Sequence, residues 1–506
     1  MLRKYLKYSL FFAVVLMFTA CQKFLSELPT KGTNQPISTI EQLDGLLDGL
    51  GGSSMSWQEV GNSTIGFSTD DTWVPAEIAQ RYPVRVPVLN LQFYTFDITD
   101  IPDQPTDRFW ANQYALIYRA NLILENVDKV DGDPFQKARV KAEAHFLRAY
   151  TMWVLANYYC LPYAPENMQE LGLPRKLSTS PEEDVTRMTL AQTYAQIDSD
   201  IAEALKIDQV DHKLNWRANR ASINAFLSRY YIHRGEYDKA IVAADFALAN
   251  KGVAKLRDYN TLVDGMRSVY AASGSVPADT IQWSEMYAYS VTQMVQWEEH
   301  FYVRFAVNPT SWFMPSPELV ALYDKENDMR YKWFMRPNGN RSISVPDIPA
   351  YRYIIFANGG AGVWSGPTIQ EVMLNKAESL LRKSGTDVNG ALAVVNELRR
   401  HRIAPGAPDI QLTAANRDEA LIKVLEERRR ELPFGHRWWD IRRFSVTETT
   451  VDKVSIIRTF HPIVNGVVDF TQTKTYTLPA GSRRYAVPIN KFDIDASQGR
   501  LKQNTY

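Results

Sequence analysis

Apolar side chains recur at spacings of three and four along much of this chain, the period of helices with one buried face. "STIEQLDGLLDGLGG" opens on Ser38, a good N-cap, carries Glu41 three residues on, and closes at Gly51-Gly52. In "DRFWANQYALIYRANLILENVDKV" the stripe is Trp110, Tyr114, Ile117, Asn121 and Leu124. Asp133-Pro134 starts another helix, whose inner face is Ala142, Phe146, Ala149, Trp153 and Ala156. "LAQTYAQIDSDIAEAL" predicts a further one.

Two stretches carry more than a period. "FLSRYYIHRGEYDKAIVAADFAL" places Leu227, Tyr231, Gly235, Tyr237, Ala240 and Ala247 at tetratricopeptide offsets. Gly235 allows a tight turn, Ala240 lets two helices approach closely, and Tyr231 fills the gap between repeats. "EVMLNKAESLLRKSGTDVNGALAVVNELRRHR" repeats the pattern with Ala377, Gly385 and Ala391, with one extra residue in its turn. The copies lie far apart. Between them, 51–105, 251–365 and 403–415 show no sustained period and are rich in Gly, Pro, Asn and aromatics. These segments read as loops, short helices and short strands on a helical scaffold; "RRYAVPIN" and "KTYTLPA" read as short strands. The predicted fold class is mainly α, with tetratricopeptide-like helix pairs, long irregular insertions and a few short strands.

The N-terminus departs from this pattern. "MLRKYLKYSLFFAVVLMFTAC" has Arg3, Lys4 and Lys7, an apolar run from Leu10 to Phe18, then Thr19, Ala20 and Cys21. Those are the parts of a secretory signal, with an apolar run too short to span a bilayer. The ending resembles a bacterial lipobox, with Phe18 where Leu is usual, so Cys21 is expected to be lipidated and to become the mature N-terminus. Each buried acyl CH2 contributes about 0.8 kcal/mol of anchoring. Only two cysteines exist, so an acylated Cys21 leaves Cys160 without an intrachain partner. Residues 1–20 are read as signal peptide, 21–36 as tether, and 37–506 as one domain. Its scaffold is approximately 106–250 and 366–445, and its irregular insertions are approximately 51–105 and 251–365.

Charge removes one function class. The 57 basic residues balance 57 acidic ones, whereas a dedicated nucleic-acid binder carries a basic excess. The arginine-rich "LEERRRELPFGHRWWDIRRF", Leu425–Phe444, fits the same conclusion. Asn416 caps the helix that leads into it, Glu419 completes a capping box, and Leu421, Val424, Leu425 and Leu432 form its apolar face. Pro433 stops the helix. Glu427 and Glu431 lie one turn apart, with Arg428 and Arg430 as neighbours of opposite charge. The segment after Pro433 is expected to turn back across the helix as a corner of buried ion pairs, with Trp438 and Trp439 in the core.

Enzymatic signatures are missing as well. His145, His212, His233, His300, His401, His436 and His461 form no HxxxH or HExxH pair, and there is no GxSxG elbow and no P-loop. Asp70-Asp71 is an adjacent pair, and neighbours on an extended chain point apart, which is unsuited to attack across a glycosidic bond.

The chain resembles the SusD/RagB family of surface lipoproteins of Bacteroidetes. The resemblance is carried by Cys21 with "KFLSELP", "WANQYALIYRANLILENVD", "AEAHFLRAYTMWVLANYYCLPY", "EVMLNKAESLL" with "AVVNELRRHR", "EERRRELPFGHRWWDIRRF" and the closing "AVPINKFDIDASQGRLKQNTY". One departure is the lack of a residue usually found between Phe434 and Gly435. The resemblance implies four tetratricopeptide-like helix pairs beneath an irregular ligand face. It implies a lipid-anchored, surface-exposed lid at the cell outer membrane, attached through acylated Cys21. The lid would pass captured oligosaccharide to a SusC-like TonB-dependent transporter. The alternatives are a peptide-binding lid on a RagA-like transporter and, less in keeping with the sequence, a glycan-cleaving enzyme. No cofactor or metal is implied, and a structural calcium ion stays open.

A sugar site needs flat aromatics beside a few amides or carboxylates, on loops. The resemblance points to the loop after the first helix and to the central insertion. The candidates there are Asp70, Asp71 and Trp73, then Trp283, Tyr287, Trp297 and Trp312. Trp73, beside two acids and a proline-containing loop, is the foremost of them. Trp110 and Trp153, on helix stripes, are expected in the core.

Overall fold

The computed structural model describes residues 37–48, 61–84, 86–98, 109–210, 214–252, 254–262, 297–308, 314–337, 351–353, 361–447 and 449–506. The expected signal segment, the expected tether with Cys21, the expected Gly51-Gly52 closure, Trp283, Tyr287 and Trp312 lie outside the described residues.

The first helix, α1 (Ile40–Asp48), is followed by a 3-10 turn at Gly61–Ser68 and by the short α2 (Ala76–Arg81) and α3 (Val88–Tyr94). The long helices α4 (Phe109–Asn126) and α5 (Pro134–Tyr159) pack on each other, and α6 (Leu190–Ala204) packs on α5. The pair α7 (Arg220–His233) and α8 (Tyr237–Ala249) follows. The central region holds α9 (Pro317–Ala321) and α10 (Met329–Phe334). Then come α11 (Ile369–Arg382), α12 (Val388–Arg400), α13 (Arg417–Glu431), α14 (Gly435–Phe444) and the short α15 (Lys491–Ala496). Strands occur among the described residues only as two-stranded antiparallel sheets. The longest pairs Ile456–Phe460 (β1) with Lys474–Leu478 (β2). None of the described helices is long and apolar enough to cross a membrane.

The fold is mainly α and tetratricopeptide-like. In both repeat pairs the turn glycine is left-handed, Gly235 at φ +72° and Gly385 at φ +69°. Ala240, Ala377 and Ala391 are fully buried where the helices meet. α11 packs against α8, so the two repeat pairs lie side by side despite the insertion between them. Helix starts follow local chemistry. The Asp133 side chain accepts from the Gln136 N–H at 2.9 Å, and Asn416 accepts from the Glu419 N–H at 3.0 Å. The predicted inner faces are buried: Phe146, Ala149, Trp153 and Ala156 on α5, and Trp110 on α4.

Four local expectations need correction. At α1, Gln42 rather than Glu41 reaches back, accepting from the N–H groups of Ser38 and Thr39 at 2.8 and 3.2 Å. The helix begins at Ile40, so Gln42 is its third residue. At α13, Glu419 reaches past the cap and accepts from the Ala415 N–H at 2.8 Å. "RRYAVPIN" is a 3-10 turn, Arg483–Tyr485, and then extended chain whose Val487 N–H donates to Tyr158 O at 2.9 Å. The segment after Pro433 is a helix, α14, with every residue buried.

Phe434 takes φ +65° to pass straight from α13 into α14. That conformation costs a non-glycine residue roughly 1–3 kcal/mol. The surrounding corner holds it: Phe434 is fully buried, and Trp438 and Trp439 stand behind it in the main core.

Buried charge pairs fill the corner, as the local acids suggested, but the partners come from farther away. Arg428 donates to Asp440 at 2.7 Å, and Arg443 forks onto Glu378 at 2.6 and 2.7 Å. Glu427 takes Arg330 and Arg399 besides Arg430, and Glu431 takes Arg330 and Arg402. Desolvation at such depth is repaid only when each charge is met by hydrogen bonds, and forked guanidinium pairs supply them.

Candidate functional site

The loop Thr69–Val74 is held from below by α13, α14 and β1. Arg458 of β1 donates to the carbonyls of Phe67 and Tyr94 at 2.7 and 2.6 Å, to that of Thr72 at 3.4 Å, and to that of Thr69. Its guanidinium also lies 4.1 Å from the Tyr94 ring centre. Burial pushes this arginine down to about 10. Hydroxyls tighten the turn, with Thr69 and Thr72 both donating to Gly66 O, at 2.8 and 2.7 Å.

The two acids face this support. Arg437 forks onto Asp70, Nε to Oδ1 at 2.8 Å and Nη2 to Oδ2 at 2.7 Å. Asp71 Oδ1 accepts from Arg429 Nε at 2.6 Å, and Oδ2 accepts the Phe434 N–H at 2.8 Å. Burial alone would raise the Asp70 carboxyl, but Arg437 and Arg429 outweigh it and hold it well below the usual range. For Asp71, burial prevails with help from neighbouring Asp70, and its carboxyl is raised.

From the other side the loop pairs with the chain entering α9. The Trp73 N–H donates to Met314 O at 3.0 Å, the Ser316 N–H to Asp71 O at 2.6 Å, and Ser316 Oγ to Asp70 O at 2.8 Å. Ser316 also caps α9 through the Leu319 N–H at 3.2 Å, which sets Glu318 in the first turn.

Between this pairing and β1 lies a cleft of about 370 Å³. Trp73, Asp70, Glu318, Arg429 and the segment 454–459 line it. Trp73 is half-buried, and its indole has no hydrogen bond, ring contact or cation contact among the described residues. Glu318 is exposed and, among the described residues, unpaired. Arg429 uses Nε and Nη2 on the two aspartates, which leaves Nη1 without a partner among the described residues. A flat apolar ring, a carboxylate acceptor and a guanidinium donor thus share one cleft.

The sequence candidates separate accordingly. Trp73 and Asp70 line the cleft. Asp71 is fully buried beneath it as an anchor and offers nothing to solvent. Trp297 is a correction: it lies in the core at 1% exposure, its Nε1 donates to Glu299 at 2.9 Å, and Arg257 covers its ring at 4.4 Å. Glu318 and Arg429 were missed. The "SPEL" capping pattern was a local signal for Glu318; no local signal marked Arg429 as a cleft residue.

A family model described as "Starch-binding associating with outer membrane", of SusD-like type, matches residues 24–232, and the SusD family model, SusD_RagB, matches 369–506. The chain belongs to the SusD/RagB family. The SusD-like protein P2 of Formosa agariphila is 26% identical over 383 residues, covering 67% of this chain and 71% of the relative. A SusD superfamily protein from Bacteroides thetaiotaomicron has a similar structure, with a TM-score of 0.62 at 18% identity, over 92% of this chain and 100% of the other. The surface glycan-binding protein A from Bacteroides uniformis follows at a TM-score of 0.60 and 15% identity, over 92% and 99%. The SusD/RagB fold is thus shared along nearly the whole length at low identity, so these likenesses bear on the scaffold and not on the cleft's own side chains.

Proposed function

We propose that this SusD/RagB protein captures oligosaccharide in the cleft beside Trp73 and delivers it to a SusC-like TonB-dependent transporter. It would do so from the cell outer membrane, anchored through lipid on Cys21. The observation that carries the reading is the Trp73 indole, unengaged among the described residues, in a cleft with polar walls. A pyranose presents apolar C–H faces to a ring and hydroxyls to a carboxylate and a guanidinium, which matches Trp73, Glu318 and Arg429. The name of the Bacteroides uniformis relative, a surface glycan-binding protein, is in keeping with this reading.

Binding rather than catalysis suits the carboxylates. Asp70 is forked by Arg437 and Asp71 is occupied by Arg429 and a backbone N–H, so neither is poised to move a proton. A peptide ligand is the second reading. One observation favours it: β1 pairs only with β2 among the described residues, and its segment lines the cleft, where an extended peptide could add along the strand.

The test is affinity of the soluble chain, starting after Cys21, for a panel of polysaccharides and peptides, with Trp73→Ala alongside. Binding of one glycan class that is lost in the folded variant supports the proposal. Glycan binding that survives Trp73→Ala removes the cleft from it, and peptide binding without glycan binding replaces it with the second reading.

A further inference from the structure

A second cavity, of about 30 Å³, lies away from the cleft, between α4, α5, the chain before α7 and the segment Tyr302–Arg304. Its walls include Arg119, Arg304, Trp216, Glu143 and Asp48. Both acids are taken. Glu143 receives Arg139 at 2.6 Å and Arg217 at 2.7 Å, and Asp48 receives Arg217 at 2.9 Å and the Trp216 indole N–H at 3.3 Å.

Among the described residues the remaining two arginines have no acid. Arg304 is 6% exposed. Its Nη1 donates to the carbonyl of the preceding Val303 at 2.7 Å and its Nη2 to the Tyr302 hydroxyl at 2.6 Å, with the Tyr302 ring 4.0 Å away. Half-buried Arg119 has no hydrogen bond, ion pair or ring contact among the described residues. Burial, and then Arg304, push the Arg119 guanidinium below its ordinary value, as expected for a cation that faces another cation.

Other buried arginines here do not share this condition. Arg229, Arg402, Arg428 and Arg443 each meet a carboxylate, while Arg442 and Arg458 are held by carbonyls from distant parts of the chain. Buried charge is normally compensated, and a guanidinium fork matches an oxyanion. The cavity has room for one small group, not for a sugar ring.

We propose that Arg119 and Arg304, beside the Trp216 indole, form a binding site for a single oxyanion group, a carboxylate or a sulfate. The group neutralises both cations at once. It comes either from a free inorganic ion or from the acidic substituent of a sugar. The inference does not depend on the glycan reading of the Trp73 cleft.

Thermal unfolding of the soluble chain, starting after Cys21, tests it, with sodium sulfate, sodium glucuronate and glucose as probes. In anion-poor buffer Arg119→Gln unfolds at the same temperature as the unsubstituted protein or higher, because a like charge has been removed. A saturable rise in Tm of about 2 °C with an oxyanion is expected in the unsubstituted protein and in Arg119→Lys, and is absent in Arg119→Gln. The general salting effect of sulfate does not saturate and is common to all three proteins, so it separates from binding. A response to sulfate alone assigns a free ion; a response to glucuronate as well assigns an acidic sugar; glucose is inert. A lower Tm for Arg119→Gln in anion-poor buffer would show that Arg119 already has an acidic partner and would overturn the proposal. Equal responses in Arg119→Gln and the unsubstituted protein would overturn it too.

Discussion

Asp71 accepts the backbone N–H of Phe434 at 2.8 Å, across 363 positions of sequence. One buried carboxylate thereby stabilises a left-handed phenylalanine at the start of α14 and pins the loop that presents Trp73. Its second oxygen holds Arg429, which also lines the cleft.

Replacing that carboxylate tests the link between corner and cleft. Asp71→Ala leaves a buried guanidinium and a buried N–H without their acceptor, and a loss of about 3–5 kcal/mol is expected in urea unfolding. Asp71→Asn keeps an acceptor for Phe434 and loses less. Both variants reduce ligand affinity, since the Trp73 loop is no longer fixed. An Asp71→Ala protein as stable as the original would contradict this account.

Two tryptophans are expected to respond in opposite ways. Trp297→Phe removes the N–H that Glu299 accepts and weakens the cover of Arg257, which costs about 1–3 kcal/mol with ligand affinity unchanged. Trp73→Ala costs less stability and abolishes binding. Paired urea titrations and affinity measurements read both effects, and a loss of affinity in Trp297→Phe alone would reverse the assignment.

Glycines separate conformation from space. Gly235→Ala meets no atom within 4 Å, so its cost is the left-handed backbone, about 1–2 kcal/mol. Gly366→Ala would place its Cβ 2.1 Å from Tyr302 O and 2.6 Å from the Arg304 N, both backbone atoms, and a loss of about 3 kcal/mol or more follows. Thermal unfolding of the two variants should rank them in that order.

Acid should unfold the protein before most carboxylates titrate. Burial pushes His233, His300 and His436 down to about 3 from 6.5, so they stay neutral in the fold. The unfolded chain binds those protons from pH 6.5 downwards. Stability is therefore complete above pH 6.5 and falls towards pH 3, by about 1.4 kcal/mol per pH unit for each histidine. Glu378 adds to the loss: burial raises its carboxyl, Arg443 and Arg382 lower it further, and it ends at about 2. Its contribution is present above pH 4.5 and disappears as pH falls towards 2. Urea midpoints from pH 8 to pH 5 should be flat and then decline, with a shallower decline in His233→Asn. A flat profile to pH 5 would refute the buried neutral histidines.

Much of the scaffold was legible because helices declare themselves locally. The stripe from Ala142 to Ala156 follows the helical period, Asp133 caps by a bond three residues long, and Gly235 marks a turn by what its φ permits. Trp73 could be singled out for a similar reason, since a tryptophan among acids off any stripe has no helical core to join. The role of Trp297 could not, because aromatic content in an irregular segment does not say which side faces inward. The helical form of α14 was not legible, because its arginines and tryptophans break the two-faced pattern; it is buried all round, and only its neighbours make that tolerable.

By itself the sequence determined the long helices, the caps at Asp133 and Asn416, the repeat turns and the family resemblance, all of which rest on residues a few positions apart. Only the tertiary structure decided what the charges do. Arg429 and Arg437 reach Asp71 and Asp70 across 358 and 367 positions, and Arg304 comes to line the same cavity as Arg119. Coulomb and hydrogen-bond energies depend on distance in space and on local burial, neither of which the order of residues records.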